Sequence, residues 1–277
     1  RYLICMLAFY LWFFYKSAKG ERVRWLPDSR DAWIRIIFIA VFAVMGYQLL
    51  FMHGMKFTAA GDASLIITMN PIFTVLLASP FLGQRITGRM VYGLILAFIG
   101  VAVVTGWSPN TDIPLHDRLK GDFMIMLAAL CWATATNLTR IMLETEGDYG
   151  ASSSEIVVWY SLVGTVLLTP WWLADVYSGG FETPNNEDLV AILYLSILST
   201  VLAYIWFVIG VEKIGATSAS SYVFLVPPFG VLGGWLLLDE RLGASLLLGF
   251  TLIVVGVRVV QRESEAVGRA GRSPLQD

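Results

Sequence analysis

Residues Gly54–Val104 read GMKFTAAGDASLIITMNPIFTVLLASPFLGQRITGRMVYGLILAFIGVAVV, and residues Gly210–Val260 read GVEKIGATSASSYVFLVPPFGVLGGWLLLDERLGASLLLGFTLIVVGVRVV. At a shift of 156 positions (210 − 54) the two stretches align without a gap, and 16 of the 51 pairs are identical. The identities include Gly54/Gly210, Ala63/Ala219, Ser64/Ser220, Pro71/Pro227, Phe73/Phe229, Arg85/Arg241, Gly93/Gly249 and Gly100/Gly256. Shared greasiness would pair Leu with Val, but it would not bring Pro, Gly, Ser and Arg into register. A two-copy repeat of this length is the mark of a duplicated half-molecule rather than of a solenoid.

Composition sets the class. The chain has 277 residues, 57% hydrophobic and 14% charged, with a mean hydropathy of +0.68. A soluble domain carries about 25% charged residues. Apolar runs long enough for ~30 Å of hydrocarbon recur along the whole chain, so it reads as an all-α polytopic membrane protein. The net charge of −2 says nothing about partners, because most of the surface faces lipid; the expected partners are a small solute and the lipid bilayer, with no nucleic acid. Cys5 and Cys131 both fall inside apolar runs and are expected as free thiols.

Nine apolar spans are expected at roughly 2–15, 33–53, 60–82, 90–106, 121–141, 155–176, 188–210, 216–238 and 244–260. A polar, flexible tail is expected over Gln261–Asp277. The spans 33–53, 60–82 and 90–106 map onto the last three, but two spans precede the second copy and only 2–15 precedes the first. The duplication therefore predicts one further helix before Arg1, giving ten in the intact protein. Five helices per copy is an odd number, so the copies insert with opposite orientation, as inverted repeats do in secondary transporters. With the Lys16–Asp31 loop inside, 14 of the 19 Lys and Arg residues lie on the cytoplasmic side and 5 outside. The bias predicts cytoplasmic N- and C-termini.

At these residues the chain resembles a known family. Ala59-Ala60-Gly61-Asp62-Ala63-Ser64, Asn70-Pro71-Ile72-Phe73 and Leu82-Gly83-Gln84-Arg85 resemble the EamA-type domain of the drug/metabolite transporter superfamily. Gly215-Ala216-Thr217-Ser218-Ala219, Pro227-Pro228 and Leu238-Asp239-Glu240-Arg241-Leu242 resemble it more closely. Glu240-Arg241 matches the family's Glu-Arg pair, whereas the first copy has Gln84 in place of Glu. Gly121–Arg140, with Trp132 in its middle, resembles the opening helix of a second EamA repeat, and Arg1-Tyr2 the start of the family's second helix. The resemblance implies two inverted five-helix repeats around a central cavity, moving small metabolites by alternating access, most often in a prokaryotic cell membrane. The repeats then occupy 1–106 and 121–260, joined by an external linker at 107–120.

The functional candidates are the unusual residues inside the spans. Pro71 and Pro227 occupy equivalent mid-span positions and withhold an N–H from the carbonyls of Ile67 and Val223, which suits a kink or hinge beside a cavity. Ser64 and Ser220 pair in the same way and are read as helix-packing residues. Gly93 and Gly100 share a helix face with Ala97 between them, and Gly249 and Gly256 repeat the spacing; such small residues permit close packing. A homodimer stays open, though a monomer suffices. Tyr47, Gln48, Asn70, Trp132, Asn137 and Tyr204 are candidates for lining a substrate cavity, Trp132 on the family's pattern. Interhelical hydrogen bonding is the competing reading for Gln48, Asn70 and Tyr204, while Trp206 and Tyr222 suit packing or lipid contact.

Asp62, Asp122, Glu155, Asp175, Asp188, Glu212, Asp239 and Glu240 all lie near span ends, so proton coupling through a mid-membrane carboxylate finds no support. No metal-ligand cluster, cofactor motif or catalytic motif is present, and the Asn137-Leu138-Thr139 sequon falls inside a span. The expected function is a non-enzymatic carrier or exporter of a small neutral or zwitterionic solute, an amino acid or similar compound, or a drug. A membrane-embedded enzyme or receptor is the alternative.

Overall fold

The structure is a computed structural model that describes residues 2–58, 63, 66–105, 114–146, 151–178, 185–229 and 244–271. The elements among the described residues are all helices, with no strand among them. Helix α1 is Tyr2–Ala18. Helix α2 (Arg30–Ala40) continues through a π-helical turn (Val41–Gly46) into α3 (Tyr47–Gly54). Helices α4 (Asn70–Leu82), α5 (Gly88–Thr105), α6 (Leu115–Glu146) and α7 (Ser153–Tyr177) follow. Helix α8 (Asn186–Ser196) passes through a second π-helical turn (Ile197–Leu202) into α9 (Ala203–Ile214). Helix α10 (Ala216–Ser221) leads into a 3-10 turn (Tyr222–Leu225), and α11 is Ala244–Gly271.

Adding 156 to the start of α2, of the first π turn, of α3 and of α5 gives 186, 197, 203 and 244, the starts of α8, the second π turn, α9 and α11. The duplication is thus written in the backbone as well as in the residues. It extends to the π turns, which share no identical residue between VFAVMG and ILSTVL. A π turn inserts one residue into the hydrogen-bond ladder. In the second copy the Thr200 hydroxyl donates at 2.8 Å to the carbonyl of Leu195, five residues back, and so fills part of the widened turn.

Arg30–Gly54, Leu115–Thr145, Ser153–Tyr177 and Asp188–Ile214 are long and apolar enough to cross a membrane, with mean hydropathies of 1.3 to 2.2. At 1.5 Å per residue the 25-residue spans reach about 37 Å, more than the ~30 Å of hydrocarbon. Their polar ends are capped. The Ser29 hydroxyl accepts from Ala32 N–H at 3.1 Å, and reciprocal capping boxes open α7 (Ser152, Glu155) and α8 (Asn185, Asp188).

The chain forms two compact units, residues 1–45 with 138–213 and residues 46–137 with 214–277. Each draws on both repeat copies. In the first unit α1 and α2 pack on α7, and α1 also packs on α8 and the second π turn. Gly164 on α7 admits Val44 so closely that an added Cβ would stand 2.4 Å from the valine Cβ. Cys5, Phe9, Phe13, Ile36, Ile39, Ile156 and Trp159 are buried here.

In the second unit the dominant contact is between α5 and its own repeat mate, α11. A Cβ on Gly93 would lie 2.8 Å from Gly256 O, one on Gly100 2.7 Å from Gly249 O, and one on Gly256 2.5 Å from Gly93 O. Number 93 meets 256 and 100 meets 249, so the two copies of this helix run antiparallel. All four seam glycines therefore pack within the chain. Val75, Leu94, Ala97, Val101, Phe224, Ile253, Val257 and Val260 close the core around them.

Two expectations are corrected. Residues 261–271 of the expected tail are not loose, because α11 runs to Gly271; residues 272–277 lie outside the described residues. Its Glu263 accepts from Thr87 and Arg89 at 3.2 Å each, and its Ser264 hydroxyl lies 3.4 Å from Gln84 Nε2. Residues 115–120 of the expected 107–120 linker are instead the first residues of α6, and 107–113 lie outside the described residues.

Candidate functional site

Three buried polar residues of the second unit, Asn70, Thr74 and Asn137, lie where α4 meets α6. Helix α4 does not continue the preceding helical residues smoothly. A turn at Thr68 and Met69 interrupts them, and Pro71 falls in the first turn of α4, where a missing N–H costs no intrahelical bond. In the second copy the 3-10 turn Tyr222–Leu225 likewise precedes Pro227, which is buried in the helical residues 226–229. Each proline thus starts a fresh helical segment after a break instead of bending a continuous helix.

Asn70 and Thr74, one turn apart on α4, are 3% and 0% exposed, and Asn137 on α6 is 0% exposed. The Thr74 hydroxyl donates to Asn70 O at 2.9 Å and lies 3.2 Å from Asn70 Oδ1. Asn137 Nδ2 donates to Thr74 O at 3.1 Å and to Ala133 O at 3.0 Å. Both partners are carbonyls that can only accept, which fixes the amide's orientation. Asn137 Oδ1 has no hydrogen-bond partner among the described residues.

Tyr47 on α3 stacks on Phe51, centroids 5.6 Å apart, and meets the Trp132 ring of α6 at 5.2 Å and 55°. Gln48 beside it is buried. The Gln84 carbonyl oxygen accepts from the buried Thr217 hydroxyl at 2.8 Å. The Ser220 hydroxyl donates back to Thr217 O at 3.0 Å, the local bond a helix serine commonly makes. Ser64, Asp239, Glu240 and Arg241 lie outside the described residues.

Tyr204, the repeat mate of Gln48, belongs to the first unit. It is buried, with its ring centroid 6.4 Å from that of Tyr160 on α7. Trp206 and Tyr222 are 69% and 49% exposed. The first unit also holds an arrangement that sequence reading missed. Glu155, 5% exposed, is the one charged side chain among the buried described residues. Its two oxygens accept from Arg24 N–H and Ser152 N–H at 2.7 Å each. One turn further along α7, Trp159 Nε1 donates to Arg24 O at 3.2 Å. Helix α7 therefore grips both backbone polar groups of Arg24 and pins the loop between α1 and α2. At the same helix start the Ser153 hydroxyl donates to the Glu212 carboxylate. Arg140 Nη1 donates to Val211 O at 3.1 Å and Glu212 O at 2.7 Å, capping the end of α9.

Of the sequence candidates, the structure joins Asn70 to Asn137 through Thr74, and Tyr47 to Trp132. Gln48 and Tyr204 are buried in separate units. Thr74 went unnoticed because a threonine in an apolar helix carries no signal of its own; its position four residues after Asn70 was the available clue. For Glu155 the clue was Ser-x-x-Glu opening an apolar run. Among the described residues no group of His, Cys, Asp and Glu is placed to hold a metal ion, and both cysteines are free.

The comparisons agree with this architecture. The EamA-like transporter family matches residues 1–106 and 119–262. An uncharacterized transporter of Archaeoglobus fulgidus is 27% identical, covering 88% of this chain and 81% of its own. A probable terminal-alkyne amino-acid exporter of Streptantibioticus cattleyicolor is 27% identical over 90% of this chain and 79% of its own. A probable amino-acid metabolite efflux pump of Escherichia coli is 26% identical over 72% and 67%. A solved crystal structure at 18% identity superposes with a TM-score of 0.74, covering 95% of this chain and 87% of its own, and shares the fold. With both copies matched over nearly all their length, the chain belongs to the EamA-like transporter family, a polytopic membrane protein built from two EamA repeats.

Proposed function

We propose that the protein is a secondary carrier that exports a small neutral or zwitterionic solute, an amino acid or a compound derived from one, across the cell membrane by alternating access. Both termini then face the cytoplasm, on the side that holds 14 of the 19 basic residues. The observation that carries this reading is the neutral polar layer at Asn70, Thr74 and Asn137, buried within helices of a membrane protein. Polar groups are costly at that depth and mark solute pathways. With amides and a hydroxyl but no charge, the layer suits a solute without net charge. Two relatives named for amino-acid compounds, an exporter and an efflux pump, support the same class and direction.

The test is efflux from proteoliposomes loaded in turn with labelled amino acids, other metabolites and cationic drugs, with and without a pH gradient. Saturable efflux of amino acids, slowed in Asn70→Ala and Thr74→Val proteins, is the expected result. Folded, inserted protein that moves none of the panel overturns carriage. Efflux confined to cationic drugs overturns the solute class.

A further inference from the structure

We infer that the side-chain oxygen of Asn137 is the receptor for the amino group of the transported solute. This rests on the proposed carriage of an amino compound and names the contact that selects it.

Four observations converge on this oxygen. Asn137 is fully buried, and its Oδ1 has no partner among the described residues, a state that costs free energy in a low-dielectric interior. The amide cannot relieve it by turning over, because both groups facing its nitrogen, Thr74 O and Ala133 O, are carbonyls that only accept. Ser161 and Ser218 also have unpartnered buried oxygens, but a hydroxyl can rotate its proton to a carbonyl of its own helix. An amide oxygen only accepts, so what completes Asn137 must bring an N–H or O–H.

The third observation comes from the duplication. The mates of Asn70 and Thr74, 156 positions on, are Val226 and Gly230. The helical residues 226–229 of the second copy begin with Val226 where the first has Asn70, so this helix start does not require the amide. The fourth is the break at Thr68 and Met69. Pro71, in the first turn of α4 after this break, brings no N–H of its own to the cluster. The Asn137 oxygen suits an amino group, which carries up to three N–H donors and no acceptor once protonated. By itself it offers nothing to a carboxylate or phosphate, whereas the Asn70 amide beside it carries N–H donors as well.

The test compares radiolabelled leucine with its N,N,N-trimethyl betaine, which keeps the charge and the carbon skeleton but has no N–H. Wild-type protein in proteoliposomes is expected to prefer leucine by more than about tenfold, as a site built to bond a solute N–H does. Asn137→Leu should lose that preference, raising the KM for leucine and leaving the betaine unchanged. Asn70→Val, which installs the residue of the other copy, should weaken the preference and keeps the test open should Asn137→Leu fail to insert. Unchanged preference in both variants overturns the inference and leaves carriage intact. Equal handling of leucine and betaine by the wild type also overturns it. Replacing sodium with choline separates the remaining occupant: flux that needs sodium, with the need abolished in Asn137→Leu, assigns the oxygen to an alkali cation instead. A wild type that moves no amino acid but moves other solutes defeats the proposed function on which the inference rests.

Discussion

Gly256→Ala should be among the most damaging single-methyl changes in the second unit. The new Cβ would stand 2.5 Å from Gly93 O, 2.6 Å from Ala97 N and 2.9 Å from Ala97 Cβ. Ordinary contact begins at 3.4 Å, so α5 and α11 would have to separate by about 0.9 Å (3.4 − 2.5) at the crossing. Two of the three obstacles are backbone atoms, which no rotamer change can move. Separation also loosens the second crossing at Gly100 and Gly249. Helix association in lipid depends on such packing, without a hydrophobic driving force to compensate. Overpacking of a tight core costs about 1–3 kcal/mol, and a backbone obstacle places this change near the upper end. For a chain of this size that corresponds to a midpoint lower by roughly 5–10 °C. The assay is thermal unfolding of detergent-purified protein, followed by loss of the monodisperse chromatographic peak. Gly88→Ala on the same α5, whose Cβ meets nothing within 4 Å, is the control and should stay within about 0.5 kcal/mol of wild type. The double variant Gly93→Ala/Gly256→Ala should cost less than the sum, because the first methyl has already parted the helices. A Gly256→Ala protein that melts with wild type would refute the antiparallel glycine seam.

Three further changes test other parts of the structure. Glu155→Ala leaves the N–H groups of Arg24 and Ser152 without their acceptor, a loss of about 1–3 kcal/mol each where buried. The freed loop should be cut by trypsin at Lys19, Arg22, Arg24 or Arg30 on the order of tenfold faster, and an unchanged rate would show that the grip on Arg24 holds nothing. Gln84→Glu should be nearly neutral in thermal unfolding, since a carboxylate still accepts from Thr217 and Ser264 can turn to donate. Gln84→Leu should cost about 1–3 kcal/mol by stranding the buried Thr217 hydroxyl; equal melting of the two variants would contradict this. Gly215→Ala should destabilise by about 1–3 kcal/mol through backbone strain alone, because φ +84° with ψ 161° is a conformation essentially reserved for glycine and nothing lies within 4 Å of the added Cβ. Gly215→Asn should lose as much, because asparagine tolerates the left-handed helical region and not this extended one; an Ala variant as stable as wild type would refute the positive-φ conformation.

The 156-residue register carried most of the fold, because Pro, Gly and Arg cannot be aligned by hydropathy alone. It matched Gly93 with Gly249 as repeat mates, but it could not say that Gly93 packs on Gly256. That pairing follows from the antiparallel run of the two helices, which is a property of space and not of register. The π turns were invisible for another reason. One extra residue per turn leaves the apolar pattern of VFAVMG and ILSTVL intact, and the geometry recurs without a shared side chain. Asn70 and Asn137 were legible as amides in apolar runs, whereas Thr74, which links them, was not. Glu155 sat where a span end is expected to be wet, and only the fold reveals that the α1–α2 loop covers it. The charged stretch after Gln261 looked like a tail because composition cannot foresee that Glu263 will find Arg89 and Thr87.

The most direct test of alternating access is exchange. Proteoliposomes loaded with labelled leucine would be diluted into buffer with or without unlabelled leucine, and efflux followed. A carrier that must return its site across the membrane should release label faster when unlabelled solute waits outside, and the rate should saturate with internal concentration. Efflux that rises linearly with concentration and ignores external solute would contradict a carrier mechanism for this chain.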